Sequence, residues 1–194
     1  PIPKKFFIIH DKNVGQNKSS KINTIVKLLI KTKIDMLFVT ASENIAWLLN
    51  LRGCDSEFSP IPNGYLMINN NKEITFYCDL RKINRIVKNH LKNIKIIDIN
   101  LIDFYLNKVK DKKIQIDKTS CSIYFDNILK KNNDTFSLYD PTYFLKAIKN
   151  TTEIKNTIKS HIYDGAALTK FIMWLKNNFK KKIITELSAQ EKAL

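Results

Sequence analysis

Arginine is nearly missing from this chain. Of its 33 basic residues only Arg52, Arg81 and Arg85 are arginine; the rest are lysine. A surface built to read phosphates or bases leans on the guanidinium fork, which bonds bidentately and stacks. The lysines are scattered and travel with many Asn and Ile, the signature of an AT-rich coding sequence biasing surface positions. The formal net charge of +15 therefore reads as a solvated lysine surface, not a nucleic-acid footprint, which would gather into one stripe. Cysteine is also sparse. Cys54, Cys78 and Cys121 are odd in number and far apart, which excludes a disulfide framework or zinc ribbon and fits a reducing compartment. Four glycines do not form a G-x-G-x-x-G phosphate loop. No apolar run reaches the ~18 residues of a membrane span. No signal peptide is in view, and the opening Pro1-Ile2-Pro3 is expected to reflect processing or a cloned fragment. The three histidines, His10, His90 and His161, stand in no His-x-x-x-His or Glu-x-x-His pattern. A dinuclear metal site needs about five converging ligands. No metal site and no catalytic residue is therefore assigned within the chain.

What is present is an ordinary globular composition, 44% hydrophobic and 26% charged over 194 residues, enough for one packed domain with a short extra element. Residues 1–17 read as an extended lead-in. Ser19 or Ser20 caps a helix whose apolar face is Ile22, Ile25, Val26, Leu29 and Ile30. Met36–Val39 reads as a strand buried on both faces. Thr40-Ala-Ser-Glu43 has the form of a capping box and opens a helix through Leu49. A long loop with Pro60 and Pro62 leads to a hairpin, Gly64–Ile68 and Glu73–Cys78, whose Asn-rich turn tolerates left-handed backbone. The chain then alternates: a helix carrying Ile83, Ile86, Val87 and Leu91, strand Ile94–Ile99, a helix carrying Phe104, Tyr105 and Val109, strand Ile114–Ile116, a helix from Ser120 to Lys131, strand Phe136–Tyr139, and a helix through Ile148 with Asp140 as N-cap and Pro141 at its first position. Alternation of this kind predicts an α/β domain with parallel pairing, and the hairpin makes the sheet mixed.

Residues 152–179 differ. With Thr152 as cap, Ile154, Ile158, Ile162, Gly165, Ala166, Thr169, Ile172 and Met173 mark one stripe, and Leu168, Phe171, Trp174 and Leu175 widen it. Such a helix is expected to be enclosed by something large, which residues 180–194 cannot supply. Ser188-Ala-Gln-Glu191 repeats the capping-box pattern, so the sequence is expected to stop inside a second domain. Domain boundaries are placed at 1–149 and 150–194.

Among individual residues, Arg52 follows an apolar helix and precedes Gly53, where the backbone can turn sharply; an ion pair with Asp55 would pin this loop. Trp47 and Leu48 read as core. His161 reads as a helix-surface or capping residue. The three cysteines have no matched His partner for nucleophilic chemistry. The Phe179-Lys-Lys-Lys182 run reads as a solvated helix end.

Three stretches carry a resemblance. Thr40-Ala-Ser-Glu-Asn-Ile-Ala-Trp-Leu-Leu-Asn-Leu-Arg-Gly53, with Asp55 and Pro60, resembles the block TALDEIAWLxNLRGxDxxxxP of eukaryotic three-domain Xaa-Pro aminopeptidases. Ala147-Ile-Lys-Asn150 with Glu153 resembles their AxKNxxE transition. His161-Ile-Tyr-Asp-Gly-Ala-Ala-Leu168, Trp174-Leu175 and Thr185-Glu-Leu-Ser188 resemble HIxDGxAL…WL…TEIS. The order and gaps fit over essentially the whole chain.

The resemblance implies a creatinase/prolidase N-terminal-like middle domain, a mixed sheet flanked by helices, followed from about Asn150 by the start of a truncated pita-bread metallopeptidase domain. It implies a parent hydrolase that removes the N-terminal residue from peptides with proline in second position. Its metal-activated hydroxide would be held by two divalent ions, usually manganese, on two Asp, one His and two Glu. Those ligands would lie beyond Ser188, leaving this piece inactive alone. It further implies an intramolecular catalytic domain as partner, a homodimer, no nucleic-acid or membrane partner, and a cytoplasmic location with any targeting signal upstream of Pro1. Arg52 and Asp55 would then form a substrate-access loop at the cleft mouth. Two other classes stay open: a catalytically dead creatinase-like protein-binding module, as in the large subunit of a histone chaperone, and a basic nucleic-acid-binding domain.

Overall fold

Continuous apolar runs along the central strands decide the architecture. The computed structural model describes residues 3–56, 58–181 and 183–193, so the first two residues of the Pro1 opening lie outside the description. In chain order its elements are β1 (Phe7–Ile8), α1 (Asp11–Val14), α2 (Lys18–Thr32), β2 (Met36–Val39), α3 (Ser42–Leu49), β3 (Leu51–Arg52), β4 (Tyr65–Asn69), β5 (Ile74–Cys78), α4 (Arg85–His90), β6 (Lys95–Asp98), α5 (Ile102–Lys108), β7 (Lys113–Ile116), α6 (Ile123–Lys130), β8 (Asp134–Ser137), α7 (Pro141–Ala147), α8 (Thr151–Asn178) and α9 (Glu186–Ala193). Short 3-10 turns, Leu80–Lys82 and Ile99–Leu101, precede α4 and α5. The chain divides into two compact units, one ending at Lys149 and one beginning at Asn150.

In the first unit six strands form one mixed sheet in the order β6-β5-β4-β2-β7-β8. β4 runs antiparallel to both β2 and β5, while β5/β6, β2/β7 and β7/β8 are parallel. Side chains of a strand point alternately to opposite faces, and here each face has its own helices. Leu37, Val39, Leu66, Ile68 and Phe76 meet α2, α3 and α4 on one side. Phe38, Met67, Tyr77, Ile114 and Ile116 meet α5 and α6 on the other. Burying each such side chain contributes about 1.5–3 kcal/mol, so a sheet covered on both faces is the stable outcome for strands that are apolar throughout. The predicted α/β class and mixed sheet are what the chain adopts.

The differences lie at element ends. The lead-in is not wholly extended: it carries β1, which pairs with β3, and the short α1, closed by Gly15 at φ 72°. Helix α2 is capped by Asn17, whose side chain accepts from the Ser20 N–H at 2.8 Å, not by Ser19 or Ser20. Ile30, placed in the apolar face, is 60% exposed, while Lys21 is buried in its stead. Thr40 does not cap α3; its hydroxyl pairs with Ser120 at 2.8 Å, and Ala41 holds the N-cap without a side-chain bond. In the hairpin the left-handed residue is Lys72, at φ 71°, rather than an Asn. The segment around Ile86 splits into a 3-10 turn and a short helix, leaving Ile86 exposed. Helix α6 starts at Ile123 on a Ser122 cap, and β8 sits two residues earlier than predicted, so Leu138 and Tyr139 are exposed beyond it. Asp140 and Pro141 open α7 as predicted.

The second unit is α8 and α9. Asn150, not Thr152, caps α8: its side chain accepts the Glu153 N–H at 3.0 Å, and the Glu153 carboxylate accepts the Asn150 N–H at 2.9 Å. Helix α9 begins at Glu186, ahead of the predicted Ser188 cap, with Thr185 and Ser188 exchanging hydrogen bonds across its first turn.

Candidate functional site

Arg52 ends β3, just after α3. Its Nη1 donates to the carbonyls of Ala46 and Leu51, both at 2.9 Å. Ala46 lies in the last turn of α3 and its carbonyl also accepts the Asn50 N–H, so the guanidinium adds a second donor at that helix end. Burial lowers its pKa, though never far enough to discharge an arginine. The expected Arg52–Asp55 ion pair does not form. Asp55 pairs instead with Lys82, and its Oδ2 accepts the Asn63 N–H at 2.9 Å. Both partners of the Asp55–Lys82 pair are mostly buried, and the ammonium lies 5.6 Å from the Phe6 ring centre. The competing partner won because the chain returns after β5 to bring Lys82 under the loop, a long-range contact that local spacing does not encode.

The same loop is shut at its base. The Gly53 N–H donates to the Pro60 carbonyl at 3.4 Å. A side chain at Gly53 would begin 2.7 Å from the Ile61 carbonyl oxygen, so close backbone approach, not a left-handed turn, demands glycine here. Phe58 stands on the loop at 69% exposure.

A second group was not foreseen. Three loops leaving β2, β7 and β8 converge on buried polar side chains. Asn44 is fully buried; it donates to Asp140 Oδ2 at 2.7 Å and accepts from Lys146 Nζ at 2.8 Å. The Asp140 N–H donates to Asp117 Oδ2 at 2.9 Å, while Asp117 Oδ1 accepts from the Thr119 N–H and hydroxyl at 2.9 and 2.6 Å. Burial pushes the Asp117 carboxyl up, but the donors from Thr119 and Asp140 outweigh it and leave the pKa below the ordinary value. Tyr143 donates to Glu43 at 2.8 Å; burial, then the Glu43 acceptor, raise its pKa. Lys146 is lowered, chiefly by burial. Among the described residues, the Thr142 hydroxyl is the one buried side-chain polar atom left without a hydrogen-bond partner. The network clamps the Thr40–Gly53 block to α7, the last helix of the first unit. Polar residues inside a helix that otherwise reads Ile-Ala-Trp-Leu-Leu were the available signal.

Lys21 belongs to the same logic. It is 1% exposed, donates to the Trp47 carbonyl at 2.8 Å and to Asn50 Oδ1 at 2.7 Å, and sits 4.2 Å from the Trp47 ring centre. Trp47 packs against the core, as read, and Leu48 is buried.

In the second unit α8 buries none of its described residues. Ile154, Ile158, Ile162, Leu168, Ile172 and Met173 are all exposed. A cleft of about 630 Å³ between α8 and α9 is lined by Leu168, Phe171 and Trp174 with Asp164, Lys170 and Lys192. His161 lies exposed along α8. Burial pushes the Cys78 thiol up to about 12 and Cys121 to about 11, far from a thiolate nucleophile at neutral pH. Among the described residues no three His, Cys, Asp or Glu side chains gather where a metal ion could sit. No described helix is long and apolar enough to cross a membrane.

A two-faced mixed sheet with a polar clamp at one end defines a class of α/β domain, and comparison with known proteins narrows it. The profile of the Creatinase/Prolidase N-terminal domain matches residues 1–153, so the chain belongs to that family. Among curated relatives, Xaa-Pro aminopeptidase 1 of Dictyostelium discoideum is 34% identical over 184 residues, covering 91% of this chain and 28% of that protein. An Xaa-Pro aminopeptidase of Drosophila melanogaster is 32% identical over 186 residues, covering 92% of this chain and 30% of that protein. The chain thus spans less than a third of the length of these relatives. The crystal structure of the X-prolyl aminopeptidase of Caenorhabditis elegans, described as a cytosolic enzyme with a di-nuclear active site, superposes with a TM-score of 0.87 at 22% identity, covering 98% of this chain and 32% of that one. An Xaa-Pro dipeptidase of Bacillus anthracis gives 0.65 at 15% identity, over 91% of this chain and 48% of that one. At these identities the structural likeness speaks for the fold.

Proposed function

We propose that this chain is a non-catalytic support within a metallo-aminopeptidase that removes the N-terminal residue from peptides with proline in second position. The family match and the Xaa-Pro aminopeptidase relatives support the activity of the parent. The observation that carries the support role is α8: 28 residues long, with an isoleucine stripe and no buried residue. In this reading residues 1–149 are the middle domain, and residues from Asn150 on begin a pita-bread metallopeptidase domain whose remainder encloses α8. Among the described residues no group of ligands suited to a dinuclear metal is gathered. The two divalent ions, manganese in this reading, are held by ligands outside residues 1–194.

The loop from Arg52 to Asp55 narrows access to the cleft and favours short peptides. Arg52 holds the loop root to the end of α3, Asp55 holds its body to Lys82, and Phe58 is presented outward. The parent works in the cytoplasm as a homodimer. The test is direct. The 194-residue chain is expected to show no turnover of Arg-Pro-Pro with Mn2+, while the complete reading frame cleaves it; turnover by the isolated chain overturns the support role, and an inactive complete protein overturns the parent activity.

A further inference from the structure

Four residues of this chain precede a glycine: Val14, Arg52, Asn63 and Asp164. Of these, Asn63 alone joins a side-chain amide to a glycine nitrogen. Such a pair can cyclise, because glycine has no side chain to crowd its main-chain nitrogen and lets the backbone reach the closing geometry. Asn63 and Gly64 lie in the loop just ahead of β4, and Asn63 is exposed. Its N–H donates to Asp55 Oδ2 at 2.9 Å, while its side-chain amide meets no hydrogen-bond partner among the described residues. The glycine is fixed by packing: a Cβ there would stand 2.6 Å from the Tyr77 carbonyl oxygen and 2.7 Å from the Phe76 ring. The sheet therefore keeps a glycine behind this exposed asparagine. Other asparagines are guarded. Asn44 and Asn50 are buried, and Asn71 in the hairpin turn has its Oδ1 on the Glu73 N–H at 3.1 Å and Lys72 after it. Asp164-Gly165 lies inside α8, where the glycine N–H belongs to the helical ladder.

We propose that Asn63 is a site of spontaneous deamidation, a covalent modification that needs only water. The Gly64 nitrogen attacks Asn63 Cγ. The N–Cγ bond forms, the Cγ–Nδ2 bond breaks, and the amide nitrogen leaves as ammonia with the glycine proton. Water then opens the cyclic imide. Attack at Cγ gives aspartate at this position; attack at the main-chain carbonyl gives isoaspartate, whose chain runs through Cβ and Cγ. Nothing is oxidised or reduced. Both products put a carboxylate on the residue whose N–H holds Asp55, and isoaspartate adds one methylene to the chain between that N–H and β4. A second carboxylate repels Asp55, so its pair with Lys82 and the loop that pair holds are loosened. This site is independent of the peptidase reading.

The experiment incubates the folded 194-residue chain at neutral and at mildly alkaline pH over days. Digests are read by mass spectrometry for the amide-to-acid mass gain, and an isoaspartyl methyltransferase assay counts the isoaspartate. Conversion is expected at Asn63 at least about tenfold faster than at any other asparagine, rising with hydroxide because the attacking nitrogen must lose its proton. Asn63→Gln, which would have to close a larger ring from the same exposed position, abolishes it, and thermal unfolding checks that this variant keeps the fold. Hydrogen exchange of residues 53–62 is expected about tenfold faster in the aged chain, with the six-stranded sheet unchanged. No conversion in the folded chain, conversion that appears only in urea, or conversion spread evenly over the asparagines would overturn the proposal. An aged loop that exchanges at the unmodified rate would overturn the loosening.

Discussion

Helices α2 and α8 are built on the same periodicity and meet opposite fates. Helix α2 has 15 residues and buries Ile22, Ile25, Val26 and Leu29 against the sheet. Helix α8 has 28, repeats isoleucine at 154, 158 and 162, and buries none of its described residues. Periodicity states that a face is apolar; it does not state what covers it. In the first unit the cover is a six-stranded sheet whose central strands are apolar on both faces. In the second it is absent from the described residues, and the support role proposed for this chain rests on that contrast.

The contrast breaks first at the core. Leu48→Ala, at a fully buried position, is expected to cost about 2–5 kcal/mol in the first unit. Ile158→Ala, at 59% exposure, is expected to change the stability of the isolated chain by less than about 0.5 kcal/mol. Urea unfolding of both variants checks the pair, and equal costs would mean that α8 is covered after all. Next comes the polar clamp. Asn44→Ala removes the partner of both Asp140 and Lys146 and is expected to cost about 1–3 kcal/mol; Glu153→Ala, which loses one half of a half-buried capping box, should cost about 1 kcal/mol.

How much of this was legible beforehand depends on range. Met36–Val39, the hairpin and the Asp140-Pro141 helix start were readable because their signals lie within a few residues of one another. The Arg52–Asp55 pair failed because Lys82, 27 residues on, took the aspartate. Thr40 was assigned a cap and instead reached Ser120 across the sheet end. Lys21 stands at helical spacing with Ile25 and Leu29 on the buried face, so its position was visible; its acceptors on Trp47 and Asn50 were not, since they belong to a helix that packs there only in the folded chain. Asn17 displaced two serines as cap, because which of several polar residues caps depends on where the backbone leaves the helix.

Two smaller effects sharpen the comparison. The Asp117 carboxyl titrates below its ordinary value of about 3.9. A depressed folded pKa stabilises above the unfolded value and loses that stabilisation as pH falls through the folded one. Stability of the first unit should therefore drop below about pH 4, and Asp117→Asn should flatten that drop in an acid unfolding series. Cys78 and Cys121 should resist iodoacetamide at pH 8 while exposed Cys54 reacts, with Cys78 labelled only on unfolding; mass spectrometry of the labelled peptides reads the order.

The central claim is that α8 needs a cover drawn from outside residues 1–194. Hydrogen exchange of the α8 amides, measured by mass spectrometry in the 194-residue chain and in the complete protein, tests it most directly. The account predicts exchange of Thr151–Asn178 at least about a hundredfold slower in the complete protein, with the six-stranded sheet protected in both. Equal protection of α8 in the two samples would contradict it.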